Sequence, residues 1–158
     1  GDMFAAWGEN GYEGGDLKYP VAEANQVGEG YVQKFQGGFL TRNPDGKHFI
    51  VHGAIAEKYG EIGTATSELG YPTGNEIAVK GGFFQAFEHG NIYWSAATGA
   101  HTVLTGDIFD EWGKRGYEQG ELGWPVTDMK KIPAGGLTID FQHGTIQQVN
   151  GRVDVRKK

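Results

Sequence analysis

A sugar ring has one flat apolar face and a rim of hydroxyls. A protein that holds one sets an aromatic ring beside amides, carboxylates or imidazole. Residues 75–128 contain such a set. Tyr93 and Trp94 are adjacent, His101 returns across a predicted hairpin at Thr98-Gly99, and Gln85 and Glu88 lie on the preceding predicted strand. In one reading Trp94 or Tyr93 stacks on the sugar while His101 and Gln85 bond it, with Glu88 beside them. In the other the same aromatics are core, packed under a helix, because small domains use aromatics mainly to fill interiors. Asn75, Asp128, Glu23 and Glu76 follow prolines and offer further acceptors for hydroxyls. Residues of these types also bond nearby backbone in turns and caps.

Other chemistries find less support. His48 and His52 are four apart with Glu57 beyond, but metal-binding pairs at that spacing sit on a helix. These histidines fall in a predicted strand and at its end, so no metal and no cofactor is expected. Cysteine is absent, which removes disulfides, thiolate nucleophiles and cysteine-based zinc sites. Neither Gly-x-Ser-x-Gly nor His-Glu-x-x-His occurs. Glycoside cleavage needs two facing carboxylates, and the acids mostly do not recur from one segment to the next. The chain is read as non-catalytic. A net charge of −6 argues against a phosphate-tracking binder, which needs a basic face, so no nucleic-acid partner is expected. No apolar run is long enough to span a bilayer, so no membrane insertion is expected. No signal peptide is visible, and Gly1-Asp2-Met3-Phe4 reads either as a mature start, trimmed of an export signal, or as an engineered one.

The elements that position these residues come from a repeat. Leu17-Lys18-Tyr19-Pro20, Leu69-Gly70-Tyr71-Pro72 and Leu122-Gly123-Trp124-Pro125 share one pattern, with the prolines 52 and then 53 positions apart. Phe35, Phe87 and Phe141 keep nearly the same step, as do Gly38, Gly90 and Gly144, and Trp7, Tyr59 and Trp112. The 28 glycines together with 13% aromatics point to tight turns between short packed strands. In the middle copy, strands are predicted near Ile77-Ala78-Val79, over Phe83 to Glu88 and over Asn91 to Trp94. Asn150-Gly151 between two alternating segments predicts a type I′ hairpin, and Asp45-Gly46 is read as the same turn. Ile55, Tyr59 and Ile62, then Ile108 and Trp112, mark short helices, with Asp107 near one start and Gly113 or Gly116 near its end. Helices of about ten residues do not stand alone in water, so their aromatic faces must pack on a sheet. Tyr71 and Trp124, each before a proline, are read as rigid corners.

Leu-Gly-aromatic-Pro, the Gly-Gly before a Phe-rich strand, Ile-Tyr-Trp-Ser at Ile92 to Ser95 and Thr-Gly-Ala-His at Thr98 to His101 resemble the LGFP repeat family. The resemblance covers nearly the whole chain and is strongest over residues 69–125. It implies small modules of short β-strands, known mainly from actinobacterial envelope proteins, where they accompany mycolyltransferases and cell-wall hydrolases. It implies a secreted or cell-surface location, a cell-wall glycan partner of the arabinogalactan–peptidoglycan kind, and a possible partner enzyme domain. It supplies no ligand residues. The sequence departs from the pattern at Lys18, which replaces the first glycine. The Tyr93-Trp94 pair becomes Thr41-Arg42 in the first copy and Gln147-Gln148 in the third.

The expected fold class is α+β: tandem repeats of small antiparallel β modules, about four short strands each, each with a short helix. The boundaries are a helical half-unit over 1–16, repeats over 17–68 and 69–121, and a partial repeat over 122–158, in an open array or a closed ring. The expected function is a non-catalytic, lectin-like module for cell-wall polysaccharide. The alternatives are a structural stalk or protein-docking repeat attached to an envelope enzyme and, behind it, a cell-wall hydrolase.

Overall fold

The computed structural model describes residues 2–11 and 14–158, except for the side chain of Asp2. Helix and sheet alternate along the chain. Helix α1 (Asp2–Glu9) precedes β1 (Asn25–Val27), β2 (Gly30–Phe35), β3 (Gly38–Arg42) and β4 (His48–His52). Helix α2 (Gly53–Ile62) precedes β5 (Ile77–Val79), β6 (Gly82–Phe87), β7 (Gly90–Ser95) and β8 (Gly99–Leu104). Helix α3 (Asp107–Lys114) precedes β9 (Lys130–Lys131), β10 (Leu137–Phe141), β11 (Gly144–Val149) and β12 (Arg152–Lys157). Each set of strands forms a four-stranded antiparallel meander in chain order. The tandem small β modules expected from the sequence are present.

The chain forms two compact units, Gly1–Ile77 with Gln85–Glu88, and Ala78–Phe84 with His89–Lys158. In the first, Ala6, Leu17, Phe35 and Leu40 form a core joined by Met3, Trp7 and Ile50. Tyr59 on α2 is fully buried between Phe39 and Phe87, with ring centroids 5.8 and 4.9 Å away. In the second, Trp112 on α3 is fully buried against Tyr93, Phe141 and Tyr117. These rings supply the burial that such short helices lack by themselves.

One clasp recurs three times and explains the Leu-x-aromatic-Pro pattern. Leu17, Leu69 and Leu122 are buried. The next residue takes positive φ: 61° at Lys18, 76° at Gly70 and 77° at Gly123. That conformation turns its carbonyl toward the helix. Trp7 Nε1, Tyr59 Oη and Trp112 Nε1 each donate to this oxygen, at 3.0, 2.8 and 3.2 Å. The following aromatic donates its backbone N–H to Oε1 of Gln36, Glu88 or Gln142, at 3.4, 2.9 and 3.1 Å. The proline then bridges to Phe35, Phe87 or Phe141. Two of these positions are glycine because a Cβ at positive φ is strained, and Lys18 bears that strain.

The two predicted hairpin turns differ. Asn150 and Gly151 both have positive φ, 52° and 77°, as a type I′ turn requires. At Asp45-Gly46 only Gly46 does, at 85°, which corrects the sequence reading. Pro44 holds its own φ negative, so the chain turns over Asn43 to Gly46 with Gly46 N–H donating to Asn43 O at 2.9 Å. The Asn43 side chain accepts from Asp45 and Lys47 N–H.

Candidate functional site

In the second unit the aromatic pair of β7 divides between two faces, as strand alternation requires. Tyr93 points inward and is 5% exposed. Its ring stacks on Phe84 at 5.1 Å and meets Trp112 edge-on at 4.8 Å. Burial, with Glu118 and Tyr117 adding, holds its phenol well above the ordinary tyrosine range. Trp94 lies on the opposite face, half-buried, 5.7 Å from the half-buried Phe83 ring with 31° between the planes. The register opposes Tyr93 to His101 and Trp94 to Ala100. Tyr93 and Trp94 thus face opposite sides of the sheet, and Phe83 lies beside Trp94. His101 is turned toward Asp128, with Nδ1 to Oδ1 at 3.2 Å, while Nε2 lies 2.6 Å from Thr98 O. Asp128 Oδ1 also accepts from Thr102 N–H at 3.1 Å.

In the first unit Gln85 is fully buried. Its Nε2 donates to Ile50 O and Gly74 O, both at 2.9 Å, and the side chain ties the β4 edge to the segment after Pro72. Asn75 Oδ1 accepts from Ile50 N–H at 3.4 Å, the role that Asp128 plays at Thr102. Glu88 is the clasp on Tyr71, and its charge, behind burial, raises the Tyr71 phenol. Glu76 lies 3.4 Å from His52. Burial raises its carboxyl above the usual range while His52 pulls it back. Gln85, Asn75, Glu88 and Asp128 thus each bond backbone at corners and strand edges, while Gln85 Oε1 is buried with no hydrogen-bond partner.

Sequence reasoning missed a groove of about 710 Å³ in the first unit. Its floor is Phe35, Phe39, Ala56 and Gly60, and its rim carries Lys34, Gln36, Glu57, Glu61 and Thr64. The groove is open because small residues stand where the second unit has rings. Ala56 and Thr64 match Phe109 and Tyr117 at the repeat step, and those rings lie 5.3 Å apart with Tyr117 packed over Gly113. An apolar floor with a polar rim is the usual form of a small-ligand cleft. Among the described residues no group of three or more His, Asp or Glu is placed to hold a metal, and no helix is long and apolar enough to cross a membrane.

Residues 17–67 and again 69–120 match the LGFP repeat family. The chain belongs to the LGFP repeat family. No curated protein matches it. The LGFP motif can now be read as a joint as well as a clasp. Within the first unit, the Tyr71 ring of the second LGFP motif covers the β1–β2 hairpin. A Cβ at Gly30 would lie 2.5 Å from that ring, and Tyr71 Oη donates to Val27 O. Within the second unit, the Trp124 ring of the third motif covers the β5–β6 hairpin, where a Cβ at Gly82 would lie 2.8 Å from Cη2. The Gly-Gly before the Phe-rich strand is the seat of the next motif's aromatic.

Proposed function

We propose that this chain is a non-catalytic LGFP module that binds cell-envelope polysaccharide reversibly, with the Phe83–Trp94 pair as its stacking surface. The supporting observation is that these two rings stay half-exposed, side by side and only 31° from parallel, while Tyr93 beside them is spent on the core. Flat rings of this kind take the apolar face of a sugar. The groove bordered by Glu57 and Glu61 offers acceptors for hydroxyls on the first unit. An arabinogalactan–peptidoglycan ligand, a secreted or cell-surface location and the absence of chemistry belong to this reading and follow the family resemblance. His101 and Asp128 serve as positioning residues for β8, and Asn75, Gln85 and Glu88 hold the module that carries the rings.

The test is co-sedimentation with insoluble arabinogalactan–peptidoglycan, using the wild-type chain, Trp94→Ala, Phe83→Ala and the double variant. Near-UV circular dichroism establishes that each is folded. Loss of one stacking ring lowers affinity by about 1–3 kcal/mol, which is about fivefold to 150-fold. Unchanged retention of the folded double variant sinks the stacking site. Absence of any glycan retention by the wild type favours the stalk or protein-docking reading, to which the motif-on-hairpin joints lend support. Release of soluble sugars from the wall material would end the non-catalytic reading.

A further inference from the structure

The groove of the first unit carries two unanswered charges of opposite sign on facing walls. Its sheet wall is the β2–β3 hairpin. Lys34 is paired with Phe39 in that register, and opposed residues project from the same side of a sheet. Phe39 meets Tyr59 of α2 with ring centroids 5.8 Å apart, so Lys34 also stands on the side that faces α2. The helix wall carries Glu57 and Glu61. Glu61 is answered by Lys58, with Oε2 and Nζ 3.5 Å apart. Lys34 and Glu57 are both exposed. Among the described residues neither side-chain charge has a hydrogen bond or an ion pair, and the two do not reach each other across the groove.

The floor between these charges has room for an apolar group. In the second unit the Tyr117 ring covers Gly113, and in the first Phe39 covers the matching Gly60, with its Cζ 3.3 Å from where a Cβ would stand. The ring of Phe109 has no such replacement. Ala56 holds its position, and Phe35 and Phe39 line the space left beside it. The volume of about 710 Å³ falls inside the range of small-molecule sites, about 300–1,000 Å³. The second unit meets neither condition. Phe109 fills the space against Trp112 and Tyr117, and Ala86 stands at the repeat position of Lys34.

We propose that this groove binds a short zwitterionic peptide, with the ligand's ammonium on Glu57, its carboxylate on Lys34 and an apolar side chain on the Phe39–Ala56 floor. That side chain takes the place of the Phe109 ring. A neutral sugar offers hydroxyls to Glu57 but brings no charge to answer Lys34. A peptide with both ends free answers both charges and removes its apolar side chain from water. Glu57 thereby accepts from an ammonium rather than from a hydroxyl. Both ion pairs lie at a wet rim, so they select the ligand more than they hold it, and the floor supplies the remaining affinity. The site belongs to the first unit and the Phe83–Trp94 rings to the second, so it stands whether or not those rings bind glycan.

The test is titration of the isotope-labelled full chain with the dipeptide alanyl-phenylalanine, read by NMR at the backbone amides of Gly53, Ala56, Glu57 and Gly60. These amides shift and saturate with the dipeptide, whereas cellobiose, a neutral disaccharide, leaves them in place. Acetylating the dipeptide's amine or amidating its carboxylate weakens binding about two- to fivefold in each case, the effect of one exposed ion pair. Glu57→Gln and Lys34→Ala, both at exposed positions, weaken the free dipeptide by the same factor, and Glu57→Gln adds nothing to the loss already caused by acetylation. Ala56→Phe, with the circular dichroism of the wild type, fills the groove and removes binding. The variant lacking both stacking rings, Phe83→Ala with Trp94→Ala, keeps the peptide shifts, so failure of one site is distinguishable from failure of the other. No saturable shift with the dipeptide overturns the proposal. So does equal binding of the free and blocked dipeptides, an equal response to cellobiose, or undiminished binding by folded Ala56→Phe.

Discussion

Replacing Tyr59 by Phe removes one oxygen and almost no volume, and so isolates the bond that ties helix to corner. Tyr59 is fully buried, its hydroxyl lies 2.8 Å from Gly70 O, and burial holds its phenol far above the ordinary range. Removal of the hydroxyl leaves the buried Gly70 carbonyl without that donor. An acceptor stranded in this way costs about 1–3 kcal/mol. For a chain of this length each kcal/mol moves the midpoint about 2–4 °C. Tyr59→Phe should therefore lower stability by about 2 kcal/mol and the melting temperature by about 4–8 °C. Urea unfolding followed by far-UV circular dichroism and by tryptophan fluorescence measures it. Three of the four tryptophans, Trp94, Trp112 and Trp124, belong to the second unit. Loosening of the first unit alone thus separates the two probes. Tyr19→Phe, on an exposed ring, is the control and should stay within about 0.5 kcal/mol. Equal stability of Tyr59→Phe and the wild type would refute the helix-to-corner bond as a structural element.

Lys18→Gly should stabilise the first corner slightly, by about 0.5 kcal/mol. Relief of left-handed strain worth about 1–2 kcal/mol is offset by about 0.5–1 kcal/mol of glycine chain entropy, and urea midpoints would report it. Gly123→Ala should destabilise by about 2 kcal/mol or more in the same assay, because φ is 77° and a Cβ would sit 2.6 Å from the Gln142 Oε1 that clasps Trp124. The two hairpins should respond differently to alanine: about 1 kcal/mol lost at Asn150, which has positive φ, and under about 0.5 kcal/mol at Asp45, which does not.

The repeat made much of this fold legible. Three copies in register marked strands β5, β6 and β7, the helices around Tyr59 and Trp112, and the Asn150-Gly151 turn, because each rests on local pattern and turn chemistry. The site was less legible. Alternation put Tyr93 and Trp94 on opposite faces, but nothing within the strand says which face a helix covers. Trp112, nineteen residues on, decides it by packing on Tyr93. Gln85 was read as a hydroxyl-binding amide, and the acceptors of its Nε2, Ile50 O and Gly74 O, lie 35 and 11 residues away. Glu88 could have been found. Gln36, Glu88 and Gln142 each directly follow the repeated phenylalanine, and an oxygen acceptor recurring there signals a structural bond. The groove of the first unit was also written in the alignment, as Ala56 and Thr64 opposite Phe109 and Tyr117, but a missing ring becomes a cavity only once the surrounding surface is known.

The clasp on each corner asks for an oxygen and is indifferent to formal charge. An amide serves at Gln36 and Gln142, and a carboxylate serves at Glu88. Surface potential beside every corner is thereby decoupled from closure of the corner. A string of such units could be retuned one position at a time, toward or away from an ionic polymer, with its architecture left intact.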